Sequence, residues 1–315
     1  MKNIYFANKK FDLKKMRLLF VILSFLPLFG FAQKTFMYAE KNGQQLFLDV
    51  YKSENVDDTK PLLLYVFGGG FIMGQRNDSA FLPFIKQFNS LGFNIVCIDY
   101  RLGLKNAGQP GALNFKPLIK AIDMAVEDLL SATDFLLKNS SLTGVNAENT
   151  VVMGSSAGAI TVLEADYKMC NGFVDRGIID SDFRFKGVVA FAGAIFSQNG
   201  RIRYRNQAPS PTMFLHGTAD KVVTYKQINL LKWHFAGTKK LVKKFEKNDY
   251  PYFAYRYRDL GHEVNFFVER NLQEVCKFVQ DYVIDSKRLK SNFTLYDPSI
   301  KVKSVKSQKE LYKNN

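Results

Sequence analysis

The sequence predicts an α/β domain in which helices cover both faces of a mostly parallel central sheet. Short apolar runs alternate with segments whose apolar residues recur at helical spacing. Continuous apolar runs are typical of parallel strands buried on both faces, and their alternation with helices indicates strand–helix–strand connections. The chain has 315 residues, 47% of them hydrophobic, which is enough for one large domain.

The predicted elements follow one another in a regular order. Residues 35–39 and 45–51 are expected to pair as antiparallel strands around the turn signal Asn42-Gly43. Further strands are expected at residues 61–67, 93–101, 150–153, 185–194, 212–217 and 251–259. Helices are expected at residues 81–91, 117–138, 157–167, 227–236 and 266–284. Because only residues 197–211 separate two of these strands, we expect no large lid domain.

Both ends of the chain differ from the middle in charge. Residues 1–32 hold six Lys or Arg and one Asp, and residues 285–315 hold eight bases and three acids. The formal net charge of +15 therefore lies largely at the ends, and no motif typical of RNA or DNA binding occurs, so we exclude nucleic acid as a partner. We expect a globular domain at residues 33–285 and a loose, basic tail at residues 286–315.

The first 32 residues resemble a secretory signal. A basic flank precedes the apolar run 18–29, and Gly30-Phe31-Ala32 provides small residues for cleavage before Gln33. The run is short for a membrane span, although an uncleaved anchor is the alternative. Met16 is an alternative start. We therefore expect a secreted or periplasmic protein without a stable membrane anchor.

The three cysteines give no metal-binding pattern. Cys97 falls in an apolar strand and is expected to be a small buried side chain. Cys170 and Cys276 could form a disulfide in an oxidising compartment. Their spacing fits no metal site, and no cofactor motif occurs, so we expect neither a metal nor a cofactor.

The stretch from Gly154 to Gly158 has the pattern Gly-x-Ser-x-Gly, with Ser156 at its centre. A predicted strand ends just before it and a predicted helix begins just after it. Such a sharp reversal strains the central residue and exposes its hydroxyl above the sheet, as at a nucleophile elbow. We expect Ser156 to be a nucleophile, with the N–H of Ala157 facing the same way. A chance match in a Ser/Gly-rich turn is the alternative.

Three consecutive glycines, Gly68-Gly69-Gly70, follow the predicted strand 61–67. Such a run costs conformational entropy, which is justified where backbone N–H groups must approach a ligand closely. We expect Gly69 and Gly70 to donate to a developing oxyanion. A phosphate-binding loop fits poorly because the Gly-Lys-Ser/Thr and Gly-x-Gly-x-x-Gly patterns are absent. A merely flexible loop is the other alternative.

A serine nucleophile needs a base, and the base needs an orienting group. The chain has three histidines, of which His234 falls in a predicted helix. His262 follows the last predicted strand and is favoured as the base over His216. Asp220 is favoured as the orienting acid over Asp259, which shares the loop of His262.

With these motifs in order, the chain resembles an α/β-hydrolase fold serine esterase of the esterase/lipase, carboxylesterase-like group over residues 33–285. The matching stretches are Gly68-Gly69-Gly70-Phe71, Asp99-Tyr100-Arg101-Leu102, Gly154-Ser155-Ser156-Ala157-Gly158, His216-Gly217-Thr218-Ala219-Asp220 and Gly261-His262. The resemblance implies Ser156 as nucleophile, Asp220 as acid, His262 as base, and Gly69, Gly70 and Ala157 as oxyanion donors. It implies a structural role for His216. Phe67 stands where relatives commonly carry His.

Three functions are consistent with these residues. The first is a serine hydrolase cleaving carboxylic esters, with short acyl groups or acylated sugars as substrates because no lid is expected. The second is a serine peptidase on the same fold, which is disfavoured because such relatives usually carry a large extra domain. The third is a non-catalytic binding protein derived from the fold, which the complete set of candidate catalytic residues disfavours.

Overall fold

The computed structural model describes residues 33–107, 114–175, 177–198, 200–230 and 233–300. The predicted signal segment and the tail beyond residue 300 lie outside these residues. Twelve strands occur in the described residues, and nine of them form one large sheet in the order β1-β2-β4-β3-β5-β6-β8-β11-β12. The strands are β1 (Gln33–Lys41), β2 (Gln44–Tyr51), β3 (Leu62–Val66), β4 (Ile95–Ile98), β5 (Thr150–Ser155), β6 (Gly187–Phe191), β7 (Ala194–Ser197), β8 (Thr212–Gly217), β9 (Gln227–Leu230), β10 (Trp233–Gly237), β11 (Tyr252–Tyr257) and β12 (Lys290–Leu295).

The sheet is mostly parallel, as predicted. Strand β1 pairs antiparallel with β2, and β2 pairs antiparallel with β4. Every other pairing in this sheet is parallel. The central strands β3, β4, β5, β6 and β8 are buried along their whole length, which explains their continuous apolar sequences.

Helices cover the sheet on both faces. They are α1 (Leu82–Ser90), α2 (Lys116–Lys138), α3 (Ser140–Thr143), α4 (Ala157–Asn171), α5 (Thr238–Lys247) and α6 (Leu272–Phe278). A Cβ on Gly154 of β5 would meet helix α4, whereas a Cβ on Gly187 of β6 would meet Phe278 of α6. Gly187 pairs with Val151, which precedes Gly154 by three residues in β5, an odd number. Because side chains alternate between faces along a strand, α4 and α6 lie on opposite faces.

The predicted helix at residues 227–236 is wrong. This stretch contains β9 and β10, which pair with β7 in a second sheet of order β7-β10-β9. His234 therefore lies on a strand, opposite Ser197. Trp233 and Phe235 pack against Phe196 of β7, with ring centroids 5.7 and 5.9 Å apart. Aromatic residues favour pleated, half-buried surfaces, and the partner strand β7 is distant in sequence, so the local pattern misled.

The predicted loose tail begins too early at residue 286. Strand β12 pairs parallel with β11 over six residues, from Lys290 opposite Tyr252 to Leu295 opposite Tyr257. Phe293 packs its ring against Phe253 with centroids 5.4 Å apart. Strand β12 is mostly exposed at the sheet edge, so its sequence lacks the apolar run by which the inner strands are recognised.

The predicted closing helix 266–284 is interrupted. A 3₁₀ turn at Glu269–Asn271 leads into α6, which continues as a π-helical segment at Val279–Ile284.

Cys97, Cys170 and Cys276 are free thiols, so the possible Cys170–Cys276 disulfide is not formed. The Cys170 Sγ lies 3.3 Å from the carbonyl oxygen of Ala208 instead. Within the described residues, no helix is long and apolar enough to cross a membrane.

Candidate active site

Ser156 occupies a strained turn between β5 and α4. Its backbone has φ 52° and ψ −114°, a conformation that L residues rarely adopt. The Ser156 N–H donates to the carbonyl of Phe191 at 2.8 Å, and the Ser156 carbonyl accepts from the N–H of Ile160 at 2.9 Å. These two hydrogen bonds fix the residue between strand β6 and the first turn of α4.

The flanking glycines allow this turn because there is no space for a side chain. A Cβ on Gly154 would lie 2.4 Å from backbone atoms of Gly158. A Cβ on Gly158 would lie 2.0 Å from the carbonyl oxygen of Val66 in β3. Both distances are well inside van der Waals contact, so the start of α4 can pack on β3 and β5 only with glycine at both positions.

The three predicted residues Ser156, His262 and Asp220 lie together at this turn. Ser156 Oγ lies 2.8 Å from His262 Nε2, and His262 Nδ1 lies 2.8 Å from Asp220 Oδ2. The side chain of Asp220 is fully buried, whereas that of His262 is 15% exposed. His262 is therefore the most exposed member of this hydrogen-bonded chain, and the carboxylate of Asp220 lies in the interior.

Asp220 is held by four groups at once. Its Oδ1 accepts from the N–H groups of Val222 at 2.8 Å and Val223 at 3.0 Å. Its Oδ2 is shared between His262 and His216, the latter at 3.1 Å. Burial by itself would raise the pKa of Asp220, but the hydrogen bonds from the two histidines outweigh it and bring the pKa well below its usual range. The carboxylate is thus ionised at neutral pH.

His216 contacts Asp220, and this contact was not predicted from the sequence. It is fully buried, and its Nε2 lies near two acceptors, Asp220 Oδ2 and the carbonyl of Val223 at 3.2 Å. Because both partners accept, Nε2 must carry the hydrogen. Its Nδ1 lies 2.9 Å from Thr238 Oγ1. The spacing of four residues between His216 and Asp220 is the sequence feature that could have indicated this contact.

The rival acid Asp259 lies apart from this chain of contacts. Its side chain is 66% exposed, and its Oδ2 pairs with Arg258 Nε at 3.3 Å. Among the contacts of the described residues, none joins Asp259 to His262. The geometry favours Asp220 over Asp259, in agreement with the sequence argument.

Ser155 locks the turn from the other face of β5. Its hydroxyl accepts from Tyr65 Oη at 3.0 Å and donates to the carbonyl of Asn265 at 2.8 Å. Asn265 in turn donates through Nδ2 to the carbonyl of His262. This network ties the loop that carries His262 to the strand that carries Ser156. It was not predicted, because its members are far apart along the chain.

The glycine loop lies directly beside Ser156. A Cβ on Gly68 would be 3.3 Å from Ser156 Cβ. Gly69 and Gly70 have φ values of 123° and 64°, and a Cβ on Gly69 would lie 2.0 Å from the Met73 carbonyl oxygen. Among the hydrogen bonds of the described residues, none uses the N–H of Gly69, Gly70 or Ala157. These three donors are therefore available to a ligand.

Phe67 supports the glycine loop by packing. Its side chain is 2% exposed and stacks on Tyr100, with ring centroids 4.4 Å apart and planes at 26°. Tyr100 Oη donates to the Phe67 carbonyl at 3.1 Å. A Cβ on Gly74 would lie 2.5 Å from the Phe67 ring, so the end of the loop closes over it. Where relatives commonly carry His, this chain has a stacked aromatic pair.

The Asp-Tyr-Arg motif at residues 99–101 also serves this region. Asp99 pairs with Arg76 at 2.6 Å, beyond the glycine loop. Arg101 Nε donates to both carboxylate oxygens of Asp128 in α2, at 3.0 and 2.9 Å. Tyr100, stacked on Phe67, thus supports the glycine loop, and Arg101 holds helix α2. Their role is structural.

Residues 48–195 match the BD-FAE family model. This range runs from β2 to β7 and includes the glycine loop and Ser156, but it ends before Asp220 and His262. Among curated proteins, the chain is similar to Gut esterase 1 of Caenorhabditis briggsae, at 28% identity over 117 residues, 37% of this chain and 20% of that protein. A non-reducing polyketide synthase, nvfA, of Aspergillus novofumigatus is 41% identical over 73 residues, 22% of this chain and 3% of that protein. The matched regions span a fifth or less of these relatives.

The solved structures extend the likeness to most of the chain. Esterase 2 of Thermogutta terrifontis, with propionate bound, has a TM-score of 0.59 at 16% identity and covers 80% of this chain and 95% of that one. The same esterase phosphonylated by cyclosarin has a TM-score of 0.57 at 15% identity, again over 80% and 95%. The chain has the α/β-hydrolase fold. Together with the BD-FAE match, these similarities agree with the predicted resemblance to esterases of that fold.

The stacked pair at Phe67 can be tested by restoring the residue that relatives carry. Phe67→His should lower the melting temperature, because a polar imidazole in this buried position loses apolar contact, about 2–4 kcal/mol of stability. It should not raise kcat for ester hydrolysis, because Phe67 already supports the glycine loop by packing against Tyr100 and Gly74. Tyr100→Phe, which keeps the stack and removes one hydroxyl, is the control. A faster enzyme with an unchanged melt would contradict the packing role.

Proposed function

We propose that this protein is a secreted or periplasmic serine esterase that cleaves carboxylic esters through an acyl-enzyme. The observation that carries the proposal is the continuous hydrogen-bonded chain from Ser156 through His262 to Asp220, with Ser156 on a strained turn beside three available N–H donors. Hydrogen-bond distances of 2.8 Å at both steps are suitable for proton transfer and for orienting the base.

The contacts assign the hydrogen positions. Asp220 is ionised and accepts, so His262 Nδ1 carries a hydrogen and donates to Oδ2. Nε2 of the neutral imidazole then presents a lone pair to the Ser156 hydroxyl. The two N–H groups of Val222 and Val223 hold the carboxylate from the side opposite to the histidines, so it cannot rotate away. His262 is therefore pre-oriented as a general base.

The reaction follows from this arrangement. As Ser156 Oγ attacks the ester carbonyl carbon, its proton passes to His262 Nε2 and the carbonyl oxygen takes the electron pair. The N–H groups of Gly69, Gly70 and Ala157 stabilise that oxyanion. Collapse of the intermediate breaks the bond to the alcohol oxygen, which receives the proton from His262. Water then repeats the sequence on the acyl-enzyme, releasing the acid and regenerating Ser156.

The proposed substrates are short acyl esters or acylated sugars. Besides the large sheet, the described residues form only the small sheet of β7, β9 and β10. This sheet is too small to serve as a lid over a long acyl chain. Structures of Thermogutta terrifontis esterase 2 hold propionate and butyrate, which are short carboxylates. That similarity favours small acyl groups here.

Ser156→Ala tests the proposal directly. It should reduce ester hydrolysis by about 10⁴-fold or more, because only residual stabilisation by the oxyanion donors would remain. It should also abolish covalent labelling by a fluorophosphonate, with an unchanged circular dichroism spectrum. Ser141→Ala is the matched control, since it removes an exposed serine hydroxyl in helix α3, outside the contacts of Ser156, and should keep labelling.

Two outcomes would redirect the proposal. Wild-type protein that resists the fluorophosphonate and hydrolyses no ester would be a binding protein. Faster cleavage of acyl anilides than of the matching esters would indicate a peptidase.

The assignment of the acid separates two aspartates. Asp220→Asn should lower kcat by about 10³–10⁴-fold at neutral pH, because an amide favours the wrong imidazole tautomer. Asp259→Asn should change kcat little, since its exposed side chain pairs only with Arg258. Steady-state kinetics on a short acyl ester decides between them, and the reverse ranking would assign the acid to Asp259.

Export is proposed from the basic flank, the apolar run and Gly30-Phe31-Ala32. The exported chain should begin at or near Gln33. N-terminal sequencing of protein recovered outside the cytoplasm measures this. A chain that starts at Met1 or Met16 would contradict cleavage.

A further inference from the structure

A basic cavity lies alongside helix α5, away from Ser156. It has a volume of about 380 Å³ and is lined by α5, by the segment 201–203 and by residues of β9 and β10. Five of its lining residues are cationic, namely Arg201, Arg203, Lys240, Lys244 and Lys247, and none is Asp or Glu. Neither Ser156 nor His262 nor Asp220 contributes to it. The cavity is thus distinct from the candidate active site.

The charges of this cavity are uncompensated. Among the ion pairs of the described residues, none involves the five cationic side chains, although other basic residues nearby are paired. Lys290, for example, reaches Asp249 at 2.7 Å. Lys240, Lys244 and Lys247 lie four and three residues apart on one face of α5, where like charges repel. This repulsion slightly destabilises the helix, and a counter-charge would remove that cost.

Lys244 is the most enclosed of the five cations. It is only partly exposed, whereas Arg201, Arg203, Lys240 and Lys247 are exposed. Burial, and then the charges of Arg203, Lys247 and Lys240, lower the pKa of Lys244. This environment is therefore unfavourable for the ammonium group, and an anion bound beside it would offset both the cost of burial and the repulsion.

We propose that this cavity binds a small ligand with two or more oxyanion groups, either phosphates or carboxylates. Arg guanidinium groups recognise both by paired hydrogen bonds, and Lys adds point charges. The volume suits a compact ligand of a few such groups, being at the lower end of the range of small-molecule sites. Several negative charges are needed because five cations share the lining. The proposal does not depend on ester hydrolysis.

Titration calorimetry of the purified protein tests it, with pyrophosphate in one arm and citrate in the other, each at constant ionic strength set with sodium chloride. We expect saturable binding at one site. Lys244→Gln should weaken it about tenfold or more, as expected for the loss of one charged hydrogen bond. Lys243→Gln, the neighbouring exposed lysine that does not line the cavity, is the matched control and should bind as the wild type does.

A second measurement keeps the outcome clear if a variant is altered in stability. Without added anion, Lys244→Gln should melt at a higher temperature than the wild type, because like-charge repulsion is removed, and pyrophosphate should raise its melt less. Binding of pyrophosphate alone would identify phosphates as the ligand, and binding of citrate alone would identify carboxylates. Absence of saturable binding in both arms, or equal weakening in Lys243→Gln, would overturn the proposal.

Discussion

The close approach of helix α4 to strands β3 and β5 is the constraint on which the rest of the site depends. Backbone atoms of Gly158 lie so close to Val66 and Gly154 that the chain must reverse its direction within a single residue, Ser156. That residue takes up the reversal as a positive φ, at a cost of order 1–3 kcal/mol. The surrounding buried strands supply the packing that maintains the strain, so the hydroxyl stands at a fixed point above the sheet edge.

The groups that surround Ser156 come from the ends of several different strands. The glycine loop follows β3, the carbonyl that accepts its N–H ends β6, Asp220 follows β8 and His262 follows β11. Parallel pairing brings these ends to one edge, since each strand of this part of the sheet points the same way. Short loops after these strand ends are therefore enough to bring Asp220 and His262 to Ser156. The precision of the site is therefore a property of the sheet rather than of the loops.

The sequence predicted what is local and failed where distant residues meet. The elbow could be read because Gly154, Ser156 and Gly158 are neighbours in the chain, and the inner strands because burial on both faces leaves continuous apolar runs. Strands β9 and β10 could not, because their pairing with β7 overrides the helical pattern of residues 227–236. Strand β12 was not predicted because its exposed position at the sheet edge leaves it without a continuous apolar run. The bonds of Ser155 to Asn265 and of His216 to Thr238 join residues 110 and 22 positions apart, beyond any spacing rule.

The order of strands in the large sheet also determines when the site comes into existence. After β3, strand β4 is added on one side and β5 on the other, and β6, β8, β11 and β12 are then added outward in chain order. Ser156 is thus placed early, next to the first central strands, whereas Asp220 and His262 arrive with the last ones. The turn at Ser156 is built from β3, β5 and β6, whereas its contact with His262, and through it with Asp220, requires β8 and β11. The hydrogen-bonded chain is therefore complete only when the final third of the protein has joined the sheet.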